Sequence, residues 1–299
     1  MTLRRRIPDA ATETIAAPSG AMPGAVGEAP TLIYRHSAAV RITHWINALC
    51  LTILLMSGLQ IFNAHPALYW GNISDFAHPA VSMTAEQPQN GPPRGVTEVF
   101  GHRFDTTGVL GLSRDAAGQP WERGFPAWAT LPGEQSLAGG RLWHFFFAWL
   151  FVVNGSIYLL ASISGGHVRR DLLPTGEQLR RIGRTTLDHL LFRFPEGEEA
   201  RRYNVLQKLA YLTVVFAVLP FMLLTGLAMS PRMDAAWPHL LILLGGRQSA
   251  RTIHFILAWS LVAFVLVHVF MVLVSGVWNN LRSMVTGRYA IREARGAAD

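Results

Sequence analysis

Four stretches of about twenty mostly apolar residues stand out from the polar, Gly- and Pro-containing segments between them. They run at about 42–62, 142–163, 206–229 and 253–277. A stretch of this length crosses the hydrocarbon core of a bilayer as a helix, because only a helix or a closed barrel satisfies its own backbone there. The pattern predicts an all-α integral membrane four-helix bundle with one long loop, 63–140, between its first and second helices.

The two ends of the chain lie outside this pattern. Residues 1–30 begin with three Arg and continue with Pro, Gly, Ala and Thr, which is too weakly apolar for the core of a signal peptide. We expect 1–30 to be a disordered cytoplasmic tail, 31–290 to form the membrane domain and 291–299 to be a second cytoplasmic tail. The first span then remains in place as an anchor.

Positive charge predicts the orientation of the spans. Of the 26 Lys and Arg residues, 18 fall in the segment up to Arg41, in the segment 165–208 around the loop between the second and third spans, or after residue 277. Because cytoplasmic loops carry the excess of Lys and Arg, both termini are expected in the cytoplasm and the loop 63–140 in the periplasm. The net charge of +7 comes from Arg residues that are scattered around the spans. We therefore expect these residues to contact lipid rather than nucleic acid.

Cysteine usage removes several cofactors from consideration. The single Cys50, inside the first span, provides no disulfide, no Cys-rich zinc or iron–sulfur site and no covalent haem attachment. Any cofactor must be held by other side chains.

Histidine is the most informative residue type. Of the 11 His residues, His44, His144, His254 and His268 lie inside spans, where a polar ring is costly unless it has a function. A single His in a bundle more often bonds a neighbouring Ser, Thr or carbonyl group than a cofactor.

The spacing of the four histidines favours ligation. His254 and His268 are 14 residues apart on one helix, which is roughly 21 Å of rise with only about 40° of rotation. With alternating spans, His254 lies at the depth of His144, and His268 lies at the depth of His44. Two imidazoles that face each other across a bundle are axial ligands of a b-type haem. The sequence therefore predicts two haem b groups, held by His144 with His254 and by His44 with His268.

Small residues and arginines accompany these histidines. Gly58 and Gly155 return to the helix faces of His44 and His144, near the level of the other haem, and would make room for a porphyrin; close helix packing is the alternative. Arg41, Arg141 and Arg251 each precede a histidine by three residues and could bind haem propionates. Ordinary interfacial anchoring of Arg is the alternative reading.

The chain resembles the bacterial di-haem cytochrome b561 and nickel-hydrogenase cytochrome b superfamily, and within it the thiosulfate reductase cytochrome b subunits. The resemblance covers about residues 31–290. The segments that carry it are RHSAAVRITHWINA, TTGVLGLS, WATLPG, GRLWHFFFAWLFVVNGSIYL, GGHVRRDLLPT and HFILAWSLVAFVLVHVF.

The resemblance implies a subunit of the bacterial inner membrane that passes electrons between a quinone and a periplasmic partner, often a molybdopterin enzyme or a hydrogenase. It identifies the four span histidines with the haem ligands of the family. A quinone, the exchangeable redox partner, would bind near the cytoplasmic haem, where this chain offers Asn204, Gln207, Lys208 and Tyr211; a polar interfacial collar is the alternative. His167 could also contact a quinone or a lipid headgroup, or could be solvated.

Two other functions remain open from the sequence. The first is a self-sufficient di-haem oxidase of the same superfamily that oxidises superoxide and reduces quinone. The second is a haem-free anchor or transporter, suggested by Pro220 in the third span. The long loop favours a subunit that docks a catalytic partner, and no nucleophile–base set in the chain supports a chemistry of its own.

Overall fold

The computed structural model describes residues 31–115, 117–164, 173–180, 182–183 and 205–291. Four of its helices are long and apolar enough to cross a membrane, and they form the first to fourth spans: Ala38–Phe62, Leu137–Ser164, Val205–Ala228 and Arg247–Val274. Shorter helices are Gly176–Arg180, Pro231–Ala236, His239–Leu243 and Val277–Thr286, with a 3₁₀ turn at Ala127–Ala129. The four spans are those that the apolar stretches predict.

The spans carry bulky apolar side chains on their exposed surfaces. Leu142, Phe146 and Leu160 of the second span are 73%, 65% and 70% exposed, and Leu266 of the fourth span is 65% exposed. Side chains of this size would form an apolar surface far larger than a water-soluble protein tolerates. Hydrocarbon is the solvent that such surfaces match, and the protein is a multi-pass membrane protein.

A turn of π-helix interrupts the third span at Val214–Val218, between the α-helical parts Val205–Thr213 and Leu219–Ala228. Pro220 lies immediately after this turn and has no backbone N–H to donate to the preceding helical turn. A π-turn inserts one extra residue into a helix and is a recognised cause of a local change in direction.

The segment between the first and second spans corrects the all-α prediction. It contains six strands: β2 Ala67–Leu68, β3 Val81–Glu86, β4 Arg94–Val99, β5 His102–Asp105, β6 Gly111–Arg114 and β7 Pro120–Arg123. Strands β2 to β5 form an antiparallel sheet in that order, and β6 pairs with β7. The physical reason is local: VSMTAE and RGVTEV have Val or Thr at five of their twelve positions, and these β-branched residues favour strands.

These strands build a folded cap with its own core. Leu68, Met83 and Phe125 pack with Phe62 and Leu59 from the last turns of the first span. In the same cap, a Cβ added at Gly95 would clash with the Leu110 carbonyl oxygen, so β4 approaches the residue before β6 more closely than a side chain allows.

Asn63 fixes the point where the first span ends and the cap begins. Its side chain accepts from the Phe125 backbone N–H at 2.7 Å and donates to the Phe125 carbonyl at 3.1 Å. The amide thereby satisfies both backbone groups of one buried residue, which is the condition for burying irregular backbone.

The described residues belong to two compact units. The loop unit consists of the described residues of 45–157 and 213–265, and the terminal unit of 31–44, the described residues of 158–212, and 266–291. In the terminal unit, β1 (Thr31–Tyr34) pairs antiparallel with β8 (Arg288–Ile291). The expected tails 1–30 and 292–299 lie outside the described residues, whereas Ile291, counted in the tail, is part of β8.

Candidate functional site

The loop unit brings together two of the four span histidines. His144 of the second span and His254 of the fourth have ring centroids 6.3 Å apart, with an angle of 63° between the ring planes. Each ring is partly buried. The two histidines come from helices that are far apart in sequence, so their proximity is a tertiary contact.

The terminal unit brings together the other two. His44 of the first span and His268 of the fourth have ring centroids 6.3 Å apart, at 54°. The structure thus juxtaposes the histidines in the combinations expected from their depths, once in each unit.

The ring separation can be compared with what a shared metal ion requires. A bond from an imidazole nitrogen to a transition metal is about 2 Å, and the nitrogen lies roughly 1 Å from the ring centre, so two rings on one ion have centroids about 6 Å apart. Both observed separations match this value. The donor set of two neutral imidazoles fits haem iron, which takes such axial ligands.

Two hydroxyl groups that the sequence reasoning missed contact the rings of the loop unit. The Ser57 hydroxyl lies 3.1 Å from Nδ1 of His144, and the Thr225 hydroxyl lies 3.0 Å from Nδ1 of His254. Ser and Thr are common in membrane helices, where they bond their own backbone, so composition gave no signal for these two.

The glycines near these rings lie at contact distance. A Cβ added at Gly58 would lie 3.4 Å from Cε1 of His144, and one added at Gly226 would lie 3.4 Å from Cε1 of His254. Gly58 therefore lies beside His144, the level at which it is expected from the sequence. Among the described residues outside its own helical turns, nothing lies within 4 Å of a Cβ built at Gly155, which leaves room there for a bulky neighbour. Gly226 was not singled out in the sequence.

The three arginines one turn before the histidines differ in their contacts. Arg251 donates from its two terminal nitrogens to the carbonyls of His65 and Ala67 in the cap. Arg41 donates to the Val285 carbonyl. The exposed Arg141 lies over the ring of Phe145, with Cζ 5.6 Å from its centroid. The contacts of Arg251 and Arg41 are with the protein's own backbone, and their role towards propionates remains a prediction.

The side chain of His65, whose carbonyl accepts from Arg251, belongs to an aromatic cluster. The His65 ring stacks on Tyr69 at 5.6 Å and meets the edge of Phe76 at 5.7 Å. Burial lowers the pKa of His65, and the positive charge of Arg251 lowers it further. Burial raises the pKa of Tyr69. Both side chains are therefore neutral at pH 7.

The residues expected near a quinone are only partly described. Lys208 is buried, and its ammonium group donates to the Leu173 carbonyl at 3.3 Å. Gln207 and Tyr211 lie on the same helix and are partly buried. Asn204 and His167 lie outside the described residues.

Comparison with known proteins is consistent with this site. A putative protein-methionine-sulfoxide reductase subunit from Azospira oryzae is 30% identical over 237 residues, covering 79% of this chain and 89% of that protein. A probable Ni/Fe-hydrogenase B-type cytochrome subunit from Cupriavidus necator is 25% identical over 296 residues, covering 92% and 95%. No solved structure matches the chain.

The family comparison covers both histidine pairs. The family described as prokaryotic cytochrome b561 matches residues 35–287, which include the four spans and the cap. With four membrane helices and two facing pairs of imidazoles, this chain belongs to the prokaryotic cytochrome b561 family of haem-binding membrane proteins that transport electrons.

Proposed function

We propose that this membrane b-type cytochrome binds two haem b groups and carries electrons across the bacterial inner membrane between a quinone and a periplasmic oxidoreductase partner. The observation that carries the proposal is the two histidine pairs, His144 with His254 and His44 with His268, each at the separation that one iron requires. The fourth span supplies one ligand to each pair, 14 residues apart on one helix.

The chain's own residues hold and insulate the two redox centres. When bound, haem supplies reversible one-electron oxidation of its iron. The four histidines would hold the haem iron through their imidazole rings, and the apolar spans would exclude water from the site. Non-covalent attachment follows from the sequence, because the single Cys50 cannot make the two thioether links of a c-type cytochrome.

Quinone binding is proposed at the start of the third span, beside Lys208, Gln207 and Tyr211. Lys208 supports the proposal because it is the only lysine in the chain and is buried, with a neutral carbonyl as its described acceptor. A buried cation is costly unless something compensates it, and an anionic or hydrogen-bonding quinone oxygen would do so.

The partner is proposed to dock on the cap formed by residues 63–136. The cap is folded and carries exposed aromatic side chains, among them Trp128 at 79% and Phe76 at 76%. Aromatic residues are enriched in protein interfaces. Both relatives are named as subunits, one of a hydrogenase and one of a methionine sulfoxide reductase. We infer a partner of molybdopterin or hydrogenase type on the periplasmic side, with both termini of this chain in the cytoplasm.

The haem assignment is tested by replacing each ligand with Ala and measuring haem per protein as pyridine haemochrome. We expect two haems in the parent protein and one in each single variant. His44→Ala and His268→Ala should lose the same spectral component, and His144→Ala and His254→Ala the other. His78→Ala, in an exposed loop of the cap, is the matched control and should keep both. Two haems in any of the four ligand variants would contradict the pairing.

The subunit role is tested by purification from the native membrane. We expect an oxidoreductase to copurify, and quinone reduction to depend on it. Quinone reduction by superoxide in the isolated cytochrome would instead establish the self-sufficient oxidase. Lys208→Met should lower quinone turnover while both haems remain, and the exposed Arg180→Met variant should leave turnover unchanged.

A further inference from the structure

Ser57 presents only its lone pairs to His144. It is fully buried in the first span, and its hydroxyl donates to the Ile53 carbonyl at 2.6 Å. A Ser hydroxyl has one proton, so donation to Ile53 leaves it as an acceptor for Nδ1 of His144, 3.1 Å away. The Leu54 carbonyl, which also accepts from His144, can act only as an acceptor.

Thr225 repeats the arrangement on the third span. It is fully buried, and its hydroxyl donates towards the Phe221 and Met222 carbonyls at 3.0 and 2.9 Å. Its lone pairs accept from Nδ1 of His254 at 3.0 Å. The Met222 carbonyl also accepts from His254. On the first span and on the third span, the histidine ring has the same pair of acceptors: a hydroxyl group and the backbone carbonyl three residues before it.

A glycine completes each arrangement. Gly58 follows Ser57, and Gly226 follows Thr225. The position of a Cβ at either glycine is 3.4 Å from Cε1 of the histidine that the preceding hydroxyl contacts. The ring therefore lies directly against the backbone of the helix that bonds it, and a branched side chain at the glycine would displace it.

The acceptors determine which ring nitrogen carries the proton. A neutral imidazole has one N–H and one lone pair, and the hydrogen bond made by one nitrogen selects the form. Because the hydroxyl group at Nδ1 of each ring can only accept, Nδ1 carries the proton in His144 and in His254. The Nε2 lone pair is then available to a metal ion, and rotation of the ring is restricted.

We propose that Ser57 and Thr225 are positioning residues of the haem held by His144 and His254, where each fixes the protonation form and orientation of one ligand. The inference rests on the proposed function. It gives the third span, which provides no iron ligand, a direct part in this haem site. It also identifies a repeated unit, a hydroxyl residue followed by glycine, on the first and third spans, which contact the two ligands of this haem.

The electronic consequence has a definite sign. An acceptor on Nδ1–H increases the electron donation of the imidazole to the metal, which stabilises the ferric form. Removal of the hydroxyl should therefore shift this haem towards the ferrous form. A hydrogen bond of ordinary strength corresponds to about a five-fold change in the ferric–ferrous equilibrium.

The test uses Ser57→Ala, Thr225→Val and the double variant in the full-length haem-loaded protein. We expect a rise in the midpoint potential of one haem, larger in the double variant, and altered low-spin electron paramagnetic resonance of the same haem. The other haem should be unchanged. Ser57→Thr and Thr225→Ser retain a hydroxyl and should restore both signals.

Two controls separate this role from ordinary helix stabilisation. Thr52 and Ser260 make the same bond to the carbonyl four residues earlier, at 2.9 Å, but are exposed. Thr52→Ala and Ser260→Ala should leave both haems unchanged. If the double variant keeps the parent potential and resonance while His144→Ala still loses a haem, the positioning role is refuted and the haem assignment stands. If His144→Ala retains both haems, the haem assignment itself fails.

Discussion

Arg123 offers a sharp test of how the cap is held to the first span. It is 3% exposed, and its guanidinium group makes four hydrogen bonds to neutral acceptors. Nε donates to the Phe125 carbonyl at 2.6 Å and Nη1 to the Gly133 carbonyl at 3.0 Å. Nη2 donates to the Thr130 hydroxyl at 2.9 Å and to the Gln60 side chain at 3.3 Å. Because Gln60 belongs to the first span, this one side chain joins the span to three parts of the cap.

Arg123→Met retains most of the aliphatic stem and removes all four bonds. Hydrogen bonds to a charged donor contribute about 1.5–3 kcal/mol each, but the buried guanidinium also loses its hydration. Burial accordingly lowers the pKa of Arg123. The two effects oppose each other, and each buried neutral acceptor left without a donor costs about 1–3 kcal/mol, so we expect a net loss of roughly 3–5 kcal/mol. We expect the midpoint of thermal unfolding to fall by about 10 °C.

The measurement is thermal unfolding in detergent, followed by tryptophan fluorescence, with limited proteolysis to locate the opened segment. Arg114→Met is the matched control, because Arg114 is exposed and donates to a single carbonyl, that of Gly118, at 2.7 Å. The control should shift the midpoint by less than about 2 °C. If Arg123→Met unfolds within that margin of the parent, the four bonds do not hold the cap.

Three further changes have defined outcomes. Because the pKa of His65 is lowered in the folded protein, the unfolded chain binds a proton at this residue more readily than the folded chain does. The cap should therefore lose stability as the pH falls below about 6.5. His65→Phe should flatten this pH dependence in unfolding midpoints measured from pH 7.5 to 5.5. Gly287→Ala should lower the thermal midpoint by several degrees, because φ is +83° and the new Cβ would lie 2.7 Å from the Tyr34 ring. Asn154 donates to Asn47 at 2.7 Å between two spans, and Asn154→Leu should cost about 0.6–1.7 kcal/mol in denaturant unfolding.

The sequence predicts the spans well because apolar length in a membrane protein is a direct physical requirement. The observed helices begin up to about six residues earlier than the apolar stretches, since their first turns, such as Arg247–Thr252, contain the polar residues of the interface. The cap strands are only two to six residues long and lie among Pro, Gly and Ser, so their period-2 signal is weak.

The candidate site was likewise predictable from the sequence only in part. Helical spacing was enough to anticipate that His144 would face His254 and that His44 would face His268, because depth in the bilayer is set by sequence position. Ser57 and Thr225 could not be anticipated, because their contacts depend on the rotation of one helix against another. Whether the chain shares the partner of the thiosulfate reductase cytochromes that it resembles stays a prediction.

The π-turn at Val214–Val218 has a consequence for engineering of the third span. Each residue in an α-helix turns the chain by about 100°. The extra residue of the π-turn therefore determines which side chains of Leu219–Ala228 face the fourth span. Deleting one valine there would redirect Thr225 away from His254 without altering any residue in contact with it. The number of residues in the VVFAV stretch, and not only their chemical identity, therefore sets the contact between Thr225 and His254.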